Sequence, residues 1–330
     1  MSSDQARSAS ARVLLVGVGP TAGDAFAALL QRFNLVALIR PEQDEVTRDA
    51  ARAGVPIVVE TSMDALESAI LEHRPDVVVV SSYHRIIPFR LLEQVPFVNV
   101  HYAPLPAYRG RATVNWAIVN GETETAITIH RMESVLDAGG ILRQVRVPIG
   151  PTDTVADLYE RLNRLQRELL PGAVEDCLGG ATGIEQDRDA ATYACTRVPA
   201  DGEIDWTAPT TVIDRLVRAL TAPYPGAFTY LGLQRVWISR AAPSPEPPTY
   251  VGRVPGRVVR VDREAGWVDV LTGDSVYRIF ELRADGETTA RPANAIVKSL
   301  KDTLGLRPAA LLDRLTTLER QLSALRADRD

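Results

Sequence analysis

Cysteine is almost absent from this sequence of 330 residues, which contains only Cys177 and Cys195. Two isolated cysteines exclude a disulfide framework and a cysteine zinc cluster. No apolar run is long enough to cross a bilayer, and the polar segment Met1–Ser10 lacks the apolar core of a secretory signal. The sequence therefore predicts a cytoplasmic protein with no membrane-spanning segment.

Lysine is scarce too, since Lys298 and Lys301 are the only lysines. The sequence has 37 Lys and Arg residues against 42 Asp and Glu residues, which gives a formal net charge of −5. Because a large nucleic-acid surface normally shows as a basic excess, we predict small-molecule partners and no nucleic acid. A local basic patch stays open at this point.

The first half of the chain alternates short apolar strands with helices. The predicted strands begin with Val13–Val16, Leu35–Ile39, Ile57–Val59, Asp76–Val80 and Phe97–His101, followed by Thr125–Met132 and Ile141–Pro148. A long amphipathic helix, Thr154–Cys177, follows with Thr152 or Asp153 as its cap. This pattern predicts an α/β fold, a Rossmann-like and mostly parallel sheet over residues 11–205.

The second half predicts a helix and then five short strands separated by turns. We interpret residues 206–303 as a linker helix and a small antiparallel β-barrel of the oligonucleotide/oligosaccharide-binding (OB) type. Residues 304–330 form a third segment in which leucines recur with a strict spacing of seven: Leu311, Leu315, Leu318, Leu322 and Leu325. Such a helix either packs on its own subunit or pairs two subunits in a homodimer, and both alternatives stay open.

A glycine-containing segment, Gly17–Gly23, follows the first strand and suggests a dinucleotide-binding loop. However, Ala22 occupies the position of the third glycine, Pro20 removes a backbone donor, and Arg40 stands where an acidic residue would hold the ribose. We therefore predict a tight strand-to-helix turn here. The acidic stretch that follows, with Glu42, Asp44 and Glu45, is interpreted as a hydrated surface loop.

Three polar side chains carry the chemistry that the sequence suggests. Asn99 and His101 lie two residues apart near the end of a predicted strand, so both leave the same face. Asp137 lies in a glycine-containing turn, Asp137–Gly140. An amide can stabilise an oxyanion, an imidazole can accept a proton, and a carboxylate can orient the imidazole, which together suit acyl transfer to an amine. No Ser or Cys stands beside His101, so nothing here requires a covalent intermediate.

Short sequence motifs around these residues resemble those of a known family. Besides Asn99–His101 and Asp137–Gly139, the motifs are Leu105–Gly110, Arg109–Ala112, Asn115–Trp116, Val119–Thr125, His130–Met132 and Pro223–Phe228. With these motifs the sequence resembles the 10-formyltetrahydrofolate-dependent formyltransferase family, most closely the sugar-nucleotide N-formyltransferases such as those acting on UDP-4-amino-4-deoxy-L-arabinose. The resemblance covers roughly residues 13–300.

This resemblance implies an enzyme that moves a formyl group from 10-formyltetrahydrofolate to the amine of a nucleotide-linked amino sugar, without a metal. Asn99, His101 and Asp137 would be catalytic. The residues implied to bind the folate are Tyr83, Arg85, Ile86, Ile87, Pro88 and Gly139. Those implied to bind the sugar nucleotide are Pro106, Tyr108, Arg109, Tyr193, Arg197 and Arg218. Ala103 stands where the family usually has a serine. The missing hydroxyl is expected to affect the contacts with the acceptor more than the chemistry.

Two other functions stay open from the sequence. Methionyl-tRNA formylation uses the same chemistry on a macromolecule, but the scarcity of lysine and the acidic loop argue against it. A catalytically silent folate- or nucleotide-sensing protein is the second alternative. Hydrolysis of the formyl donor, with water in place of the amine, also stays open. His84 and His130 have no partner at metal-ligand spacing, so we interpret both as structural histidines.

Overall fold

The computed structural model describes residues 10–41, 43–59 and 62–327. The chain divides into two compact units, the first ending at Arg197 and the second beginning at Val198. Strand and helix alternate before this boundary, and one helix followed by short antiparallel strands lies after it.

The first unit is built on a seven-stranded sheet of order β3-β2-β1-β4-β5-β7-β8. Its strands are β1 (Arg12–Gly17), β2 (Asn34–Ile39), β3 (Ile57–Val58), β4 (Val77–Ser81), β5 (Phe97–His101), β7 (Glu124–Arg131) and β8 (Ile141–Pro148). The first five strands run parallel, whereas β7 and β8 join antiparallel. The predicted mostly parallel sheet is confirmed, and its direction changes at β5.

The strands of the parallel part are mostly apolar, as expected for a parallel sheet that is covered on both faces. Every residue of β4 is buried. The helices of the first unit are α1 (Gly19–Leu30), α2 (Glu45–Arg52), α3 (Met63–His73), α4 (Phe89–Leu92), α5 (Thr113–Asn120) and α6 (Val155–Leu178). Thr154, and not the predicted Thr152 or Asp153, caps α6 in a capping box with Asp157.

The glycine-containing segment forms the predicted tight turn, since only Val18 separates β1 from α1. Arg40 is fully buried, pairs with Asp44 and donates from Nη1 to the Gly19 carbonyl at 3.2 Å. Asp44 lies in the loop before α2 with a partly exposed side chain, and it also caps α2 by accepting from the Thr47 amide. Glu42 lies outside the described residues.

The second unit contains a helix, α7 (Thr210–Ala219), and an antiparallel sheet of order β10-β11-β14-β13-β12. Its strands are β10 (Ala227–Leu231), β11 (Gln234–Pro243), β12 (Val258–Val261), β13 (Val268–Leu271) and β14 (Val276–Ala284), with β15 (Arg291–Pro292) beside β14. The five predicted strands are present.

The predicted OB-type closure is not found among the described residues, because the edge strands β10 and β12 do not pair with each other. Isolated bridges instead link Leu231 to Leu304 and Arg257 to Thr303. The segment at residues 303–304 therefore occupies both edges, which leaves an open sheet whose edges are covered by chain and not joined.

The chain continues through a short helix, α8 (Ala293–Ile296), to the C-terminal helix α9 (Pro308–Ala327). Leu315, Leu318 and Leu322 of α9 are each about half exposed. The side chain of Leu325 lies outside the described part. None of the helices in residues 10–41, 43–59 and 62–327 is long and apolar enough to cross a membrane.

Candidate active site

The candidate site forms where the sheet changes from parallel to antiparallel. Asn99 and His101 lie at the carboxyl end of β5, and β7 pairs with this strand so that Asn99 stands opposite His130. Asp137 lies in the connection from β7 to β8 and has a left-handed backbone, with φ at 50°. Open α/β sheets bind ligands at the carboxyl ends of their strands where the strand order switches, so the position suits a site.

The Asp137 carboxylate is the point at which these side chains meet. Its Oδ2 accepts a hydrogen bond from the Gly110 amide at 2.8 Å and lies 3.9 Å from His101 Nδ1. Its Oδ1 accepts from Asn99 Nδ2 at 3.5 Å and lies 3.8 Å from His130 Nε2. The structure thus brings together Asn99, His101 and Asp137, although Asn99 and Asp137 are 38 residues apart in the sequence.

The surroundings of His101 decide which of its nitrogens carries a proton. His101 is buried, and its Nε2 lies 2.8 Å from the backbone carbonyl of Tyr108. A carbonyl only accepts, so Nε2 is the donor and in the neutral ring Nδ1 holds the lone pair. That lone pair is directed toward the Asp137 side of the cluster, where a proton taken up at Nδ1 faces a carboxylate.

His130 is a member of the cluster that the sequence analysis did not identify. Its Nδ1 donates to the Arg131 carbonyl at 2.7 Å, so its Nε2 accepts from Asn99 Nδ2, at 3.2 Å. Burial lowers the pKa of His130 to about 4, and the nearby Asp137 carboxylate offsets part of that shift. His130 is therefore neutral near pH 7, and it holds the amide of Asn99 in one orientation.

The interpretation of His130 as a structural histidine missed this contact with Asn99. The only indication in the sequence that His130 belongs to the site is its position in the motif His130–Met132 on a predicted strand. Its partner becomes visible only when the antiparallel register of β5 and β7 is known.

Gly139 shows how closely the turn after Asp137 is packed. A Cβ at this position would lie 1.9 Å from the Arg131 carbonyl oxygen, so only glycine fits. Gly139 is buried against the end of β7. It shapes the turn that carries Asp137, which is compatible with the folate-side position implied by the resemblance.

Several residues that the resemblance implies for binding the acceptor lie along a two-stranded ribbon. In this ribbon β6 (Arg109–Gly110) pairs with β9 (Tyr193–Ala194). The Arg109 guanidinium lies 6.0 Å from the centroid of the exposed Tyr193 ring. Arg197 lies over the ring of Trp116 at 5.4 Å, and Trp116 Nε1 donates to the Cys195 carbonyl at 2.8 Å. Trp116 is thus a further neighbour that the sequence analysis quoted only as part of a motif.

Two other acceptor residues lie on the loop that leads into this ribbon. Pro106 is partly buried, and Tyr108 follows with φ at 60°. The Tyr108 hydroxyl donates to Glu122 Oε1 at 2.6 Å and accepts from Asn120 Nδ2 at 2.9 Å. Arg218, by contrast, belongs to the second unit, where its Nε donates to Asp214 at 2.7 Å on α7.

The implied folate segment follows β4. Ile86 is exposed, with 83% of its surface accessible, whereas Ile87 is buried in the core beside Leu91. Tyr83 packs on the edge of the same core, Pro88 begins α4 and Arg85 is exposed. Of the two isoleucines, only Ile86 is therefore available for contact with a ligand in this conformation.

The described part of the chain holds no group of three His, Cys, Asp or Glu side chains arranged to bind a metal ion. The cluster at Asp137 instead combines one carboxylate, two imidazoles and one amide. Such a set can hold an oxygen that gains negative charge and can accept a proton, both in a site that is mostly shielded from water.

Comparison with protein families gives two matches that follow one another along the chain. The profile of the formyl transferase domain matches residues 40–174, and that of the formyl transferase C-terminal domain matches residues 198–299. Together they cover more than two thirds of the sequence. This chain belongs to the formyltransferase family. Asn99, His101 and Asp137 all lie within the first match.

Several solved structures share the fold of this chain at low sequence identity. HypX from Aquifex aeolicus in complex with tetrahydrofolic acid is 19% identical with a TM-score of 0.66, over 88% of this chain and 47% of its own. The N-formyltransferase from Helicobacter canadensis, in complex with folinic acid and dTDP-3-aminofucose, is 18% identical with a TM-score of 0.60, over 82% and 98%.

A sugar N-formyltransferase from a Shewanella species is 21% identical with a TM-score of 0.57, over 72% of this chain and 99% of that one. The present chain spans about half the length of the HypX structures. At these identities the similarity establishes the common fold, whereas the choice of substrate depends on the residues of each site.

Proposed function

We propose that this protein transfers the formyl group of 10-formyltetrahydrofolate to the primary amine of a nucleotide-linked amino sugar. The observation that carries the proposal is the convergence of Asn99, His101 and Asp137 at the carboxyl end of β5, with contacts of 3.5 and 3.9 Å to the carboxylate. Family membership supports formyl transfer as the reaction, and the contacts give each residue a part in it.

Asn99 is the proposed oxyanion donor. When the amine attacks, a C–N bond forms and the formyl oxygen gains negative charge. One N–H of Asn99 is held by His130 at 3.2 Å, and the other is directed to Asp137 over a longer 3.5 Å contact. This second N–H is the one that can turn to the formyl oxygen, because its present contact is weak. Such a donor typically contributes a factor of about 10² to 10³ in rate.

His101 is the proposed proton acceptor through Nδ1. Its Nε2–H is bound to the Tyr108 carbonyl, so the basic nitrogen faces Asp137. The attacking amine loses a proton to Nδ1, and the carboxylate 3.9 Å away favours the resulting charge. The bond from the formyl carbon to the folate nitrogen then breaks, and that nitrogen takes up the proton as the leaving group.

The proposed substrates fit the flanks of the cluster. The Helicobacter canadensis enzyme was solved with folinic acid and dTDP-3-aminofucose, and HypX with tetrahydrofolic acid. In this chain Ile86 offers an exposed apolar surface to a pterin. The exposed Tyr193 ring and the Arg197–Trp116 stack offer aromatic rings and a guanidinium group to a nucleoside diphosphate, whereas the Arg109 guanidinium is buried and bound to Gln186. The net charge of −5 and the presence of only two lysines favour a small acceptor over tRNA.

The test is a formyl-transfer assay with 10-formyltetrahydrofolate and a panel of acceptors: dTDP- and UDP-linked amino sugars and initiator methionyl-tRNA. We expect the N-formyl sugar, detected by mass spectrometry, together with one equivalent of tetrahydrofolate. Asn99→Ala and His101→Ala are expected to lower kcat by about 10² to 10⁴-fold.

Asn294→Ala is the matched control, because Asn294 belongs to the second unit and donates to the Asp262 carbonyl at 2.8 Å. It should retain the wild-type kcat. Formylation of the tRNA but of no sugar would overturn the proposed acceptor. Near wild-type rates in both Asn99→Ala and His101→Ala would overturn the proposed mechanism, and folate binding without any turnover would favour a sensing protein.

We also propose that α9 pairs two copies of this chain as a parallel coiled coil. Leu315 and Leu322 take position a of the heptad, Leu318 takes position d, and all three are about half exposed. In this register Arg314 takes position g and Glu319 position e, so two parallel copies place opposite charges together on both sides of the seam.

Light scattering on the full chain tests this pairing. The wild type is expected to have the mass of two chains, and a variant with Leu315→Glu and Leu318→Glu the mass of one. Thr316→Glu with Thr317→Glu, at the neighbouring outer positions, should remain dimeric. A wild type that is monomeric at about 100 µM, or an unchanged dimer in the leucine variant, would exclude the seam.

A further inference from the structure

Gln186 is a buried amide in the connection between α6 and β9, outside any helix or strand. Its Nε2 donates to the backbone carbonyls of Asp137 and Gly139, each at 2.8 Å. Its Oε1 accepts from Arg109 Nη2, also at 2.8 Å. All three of these hydrogen bonds therefore connect Gln186 to residues beside the candidate site.

These contacts close a ring around the carboxylate. Gln186 binds Arg109 on β6, the next residue along the strand is Gly110, and the Gly110 amide donates to Asp137 Oδ2 at 2.8 Å. The ring returns to Gln186 through the Asp137 carbonyl. The Gln186 side chain thus links the turn that carries Asp137 to β6, whose Gly110 amide binds the Asp137 carboxylate.

The turn needs such support because its backbone is unusual. Asp137 has a left-handed conformation with φ at 50°, which residues other than glycine adopt infrequently. Asp137 is a few ångströms from its functional neighbours, with 3.5 Å to Asn99 Nδ2 and 3.9 Å to His101 Nδ1. At these distances a small rotation of the turn changes both contacts.

We infer that Gln186 is a positioning residue, which sets the place of the Asp137 carboxylate relative to His101 and Asn99. The inference rests on the proposed function for its kinetic consequence, although the hydrogen-bonded ring is independent of it. An amide is the suitable side chain, because it supplies two donors for the two carbonyls and one acceptor for the guanidinium. Glutamate has the same shape and keeps the acceptor but lacks the donors.

The first experiment compares Gln186→Glu with Gln166→Glu. Gln166 is an equally buried glutamine of the first unit, whose Nε2 donates to the Thr21 carbonyl at 2.8 Å. We expect Gln186→Glu to lower kcat by about 10- to 100-fold with each KM changed by less than about threefold, since a misplaced catalytic group costs rate more than binding. Gln166→Glu should lower thermal stability to a similar degree with little change in kcat.

A double-mutant cycle with Asp137→Asn separates positioning from general stability. If Gln186 acts through Asp137, Gln186→Glu should cost less than about threefold in the Asp137→Asn background. Full additivity, or a rise in KM with unchanged kcat, would overturn the inference. Gln186→Met, which removes the donors without adding charge, repeats the cycle should the glutamate variant fail to fold.

Hydrogen exchange of the Gly110 amide provides a readout that does not depend on turnover. This amide is bound to Asp137 Oδ2, so it should exchange faster in Gln186→Glu or Gln186→Met and at the wild-type rate in Gln166→Glu. Unchanged protection in both Gln186 variants would overturn the inference. Absence of turnover in the wild type with faster Gly110 exchange in the variants would overturn the proposed function alone.

Discussion

Asp137 in the first unit and Asp269 in the second are both carboxylates with little exposed surface, and they are held in opposite ways. Asp269 is fully buried and forms a bidentate pair with Arg278, at 2.8 and 3.0 Å, and Arg260 approaches to 3.6 Å. Asp137 has one short hydrogen bond, from Gly110, and longer contacts of 3.5 to 3.9 Å to an amide and two imidazoles.

The difference separates a structural charge from one that is available for chemistry. A carboxylate in a bidentate arginine pair has its charge balanced and both oxygens occupied by hydrogen bonds, so it is poorly suited to exchange a proton. A carboxylate that contacts two imidazoles and an amide can still respond when a neighbour becomes charged. Burial alone therefore does not identify a functional acid, whereas the identity and the distance of its partners do.

The two units also differ in how they use charge as a whole. Residues 1–197 carry 19 basic and 25 acidic residues, and residues 198–330 carry 18 and 17, so the net charges are −6 and +1. In the second unit arginines stack on rings, as Arg278 does on Trp267 at 3.6 Å and Arg240 on Phe280 at 4.5 Å. The arginines of its sheet thus contribute to packing.

The largest expected effect is on turnover. Asp137→Asn should lower kcat by about 100-fold or more, because the positive charge formed at His101 Nδ1 loses its carboxylate partner. Asp269→Asn should leave kcat per folded molecule unchanged. Steady-state formyl transfer on both variants measures this, and equal losses of kcat in the two would remove the distinction between the carboxylates.

Stability should respond in the opposite order. Asp269→Asn leaves Arg278, whose side chain is only 14% exposed, without its charge partner. Removing one member of a buried pair typically costs about 3–5 kcal/mol of unfolding free energy. Glu281→Gln is the control, since its pair with Arg240 is exposed and should contribute only about 0–1 kcal/mol.

Urea unfolding at pH 7 compares the two variants. A loss in Asp269→Asn as small as that in Glu281→Gln would show that the buried pair is replaceable. The comparison would then rest on the first unit alone.

The smallest expected effect is a pH dependence that arises from His130. Its pKa is lowered by burial to about 4 in the folded state, against about 6.5 in an unfolded chain. The unfolded state therefore binds a proton first as the pH falls, and the stability contributed by neutral His130 is lost between about pH 6.5 and 4. The loss amounts to about 3 kcal/mol.

His130→Gln keeps an acceptor for Asn99 and removes this titration. The difference in unfolding free energy between wild type and variant should therefore shrink as the pH falls from 6.5 to 4. A difference that is constant over this range would show that His130 is not neutral in the folded protein.

Much of the fold follows from local patterns. The bounds of β5 and β8 agree with the apolar runs Phe97–His101 and Ile141–Pro148, because an apolar strand between turn residues has few alternatives. Other contacts could not be predicted from local patterns. Asp44 was interpreted as part of a hydrated loop, and its pair with the buried Arg40, four residues earlier, became visible only in the structure.

The sites show the same division. Asn99, His101 and Asp137 were found from motifs, and their convergence was expected from the end of one strand and a glycine turn. The opposite orientations of Ile86 and Ile87, and the open edges of the second sheet, were not, since both depend on which surfaces remain free after packing.

The amino-acid sequence by itself determined the strand and helix pattern, the family and the residue types of the candidate site, because these depend on composition and on spacing over a few residues. Only the tertiary structure decided that His130 holds Asn99, that His101 is left with Nδ1 as its basic atom, and that Gln186 closes a ring on Asp137. Those contacts join residues up to 49 positions apart. Their geometry follows from strand register and burial, which no local pattern contains.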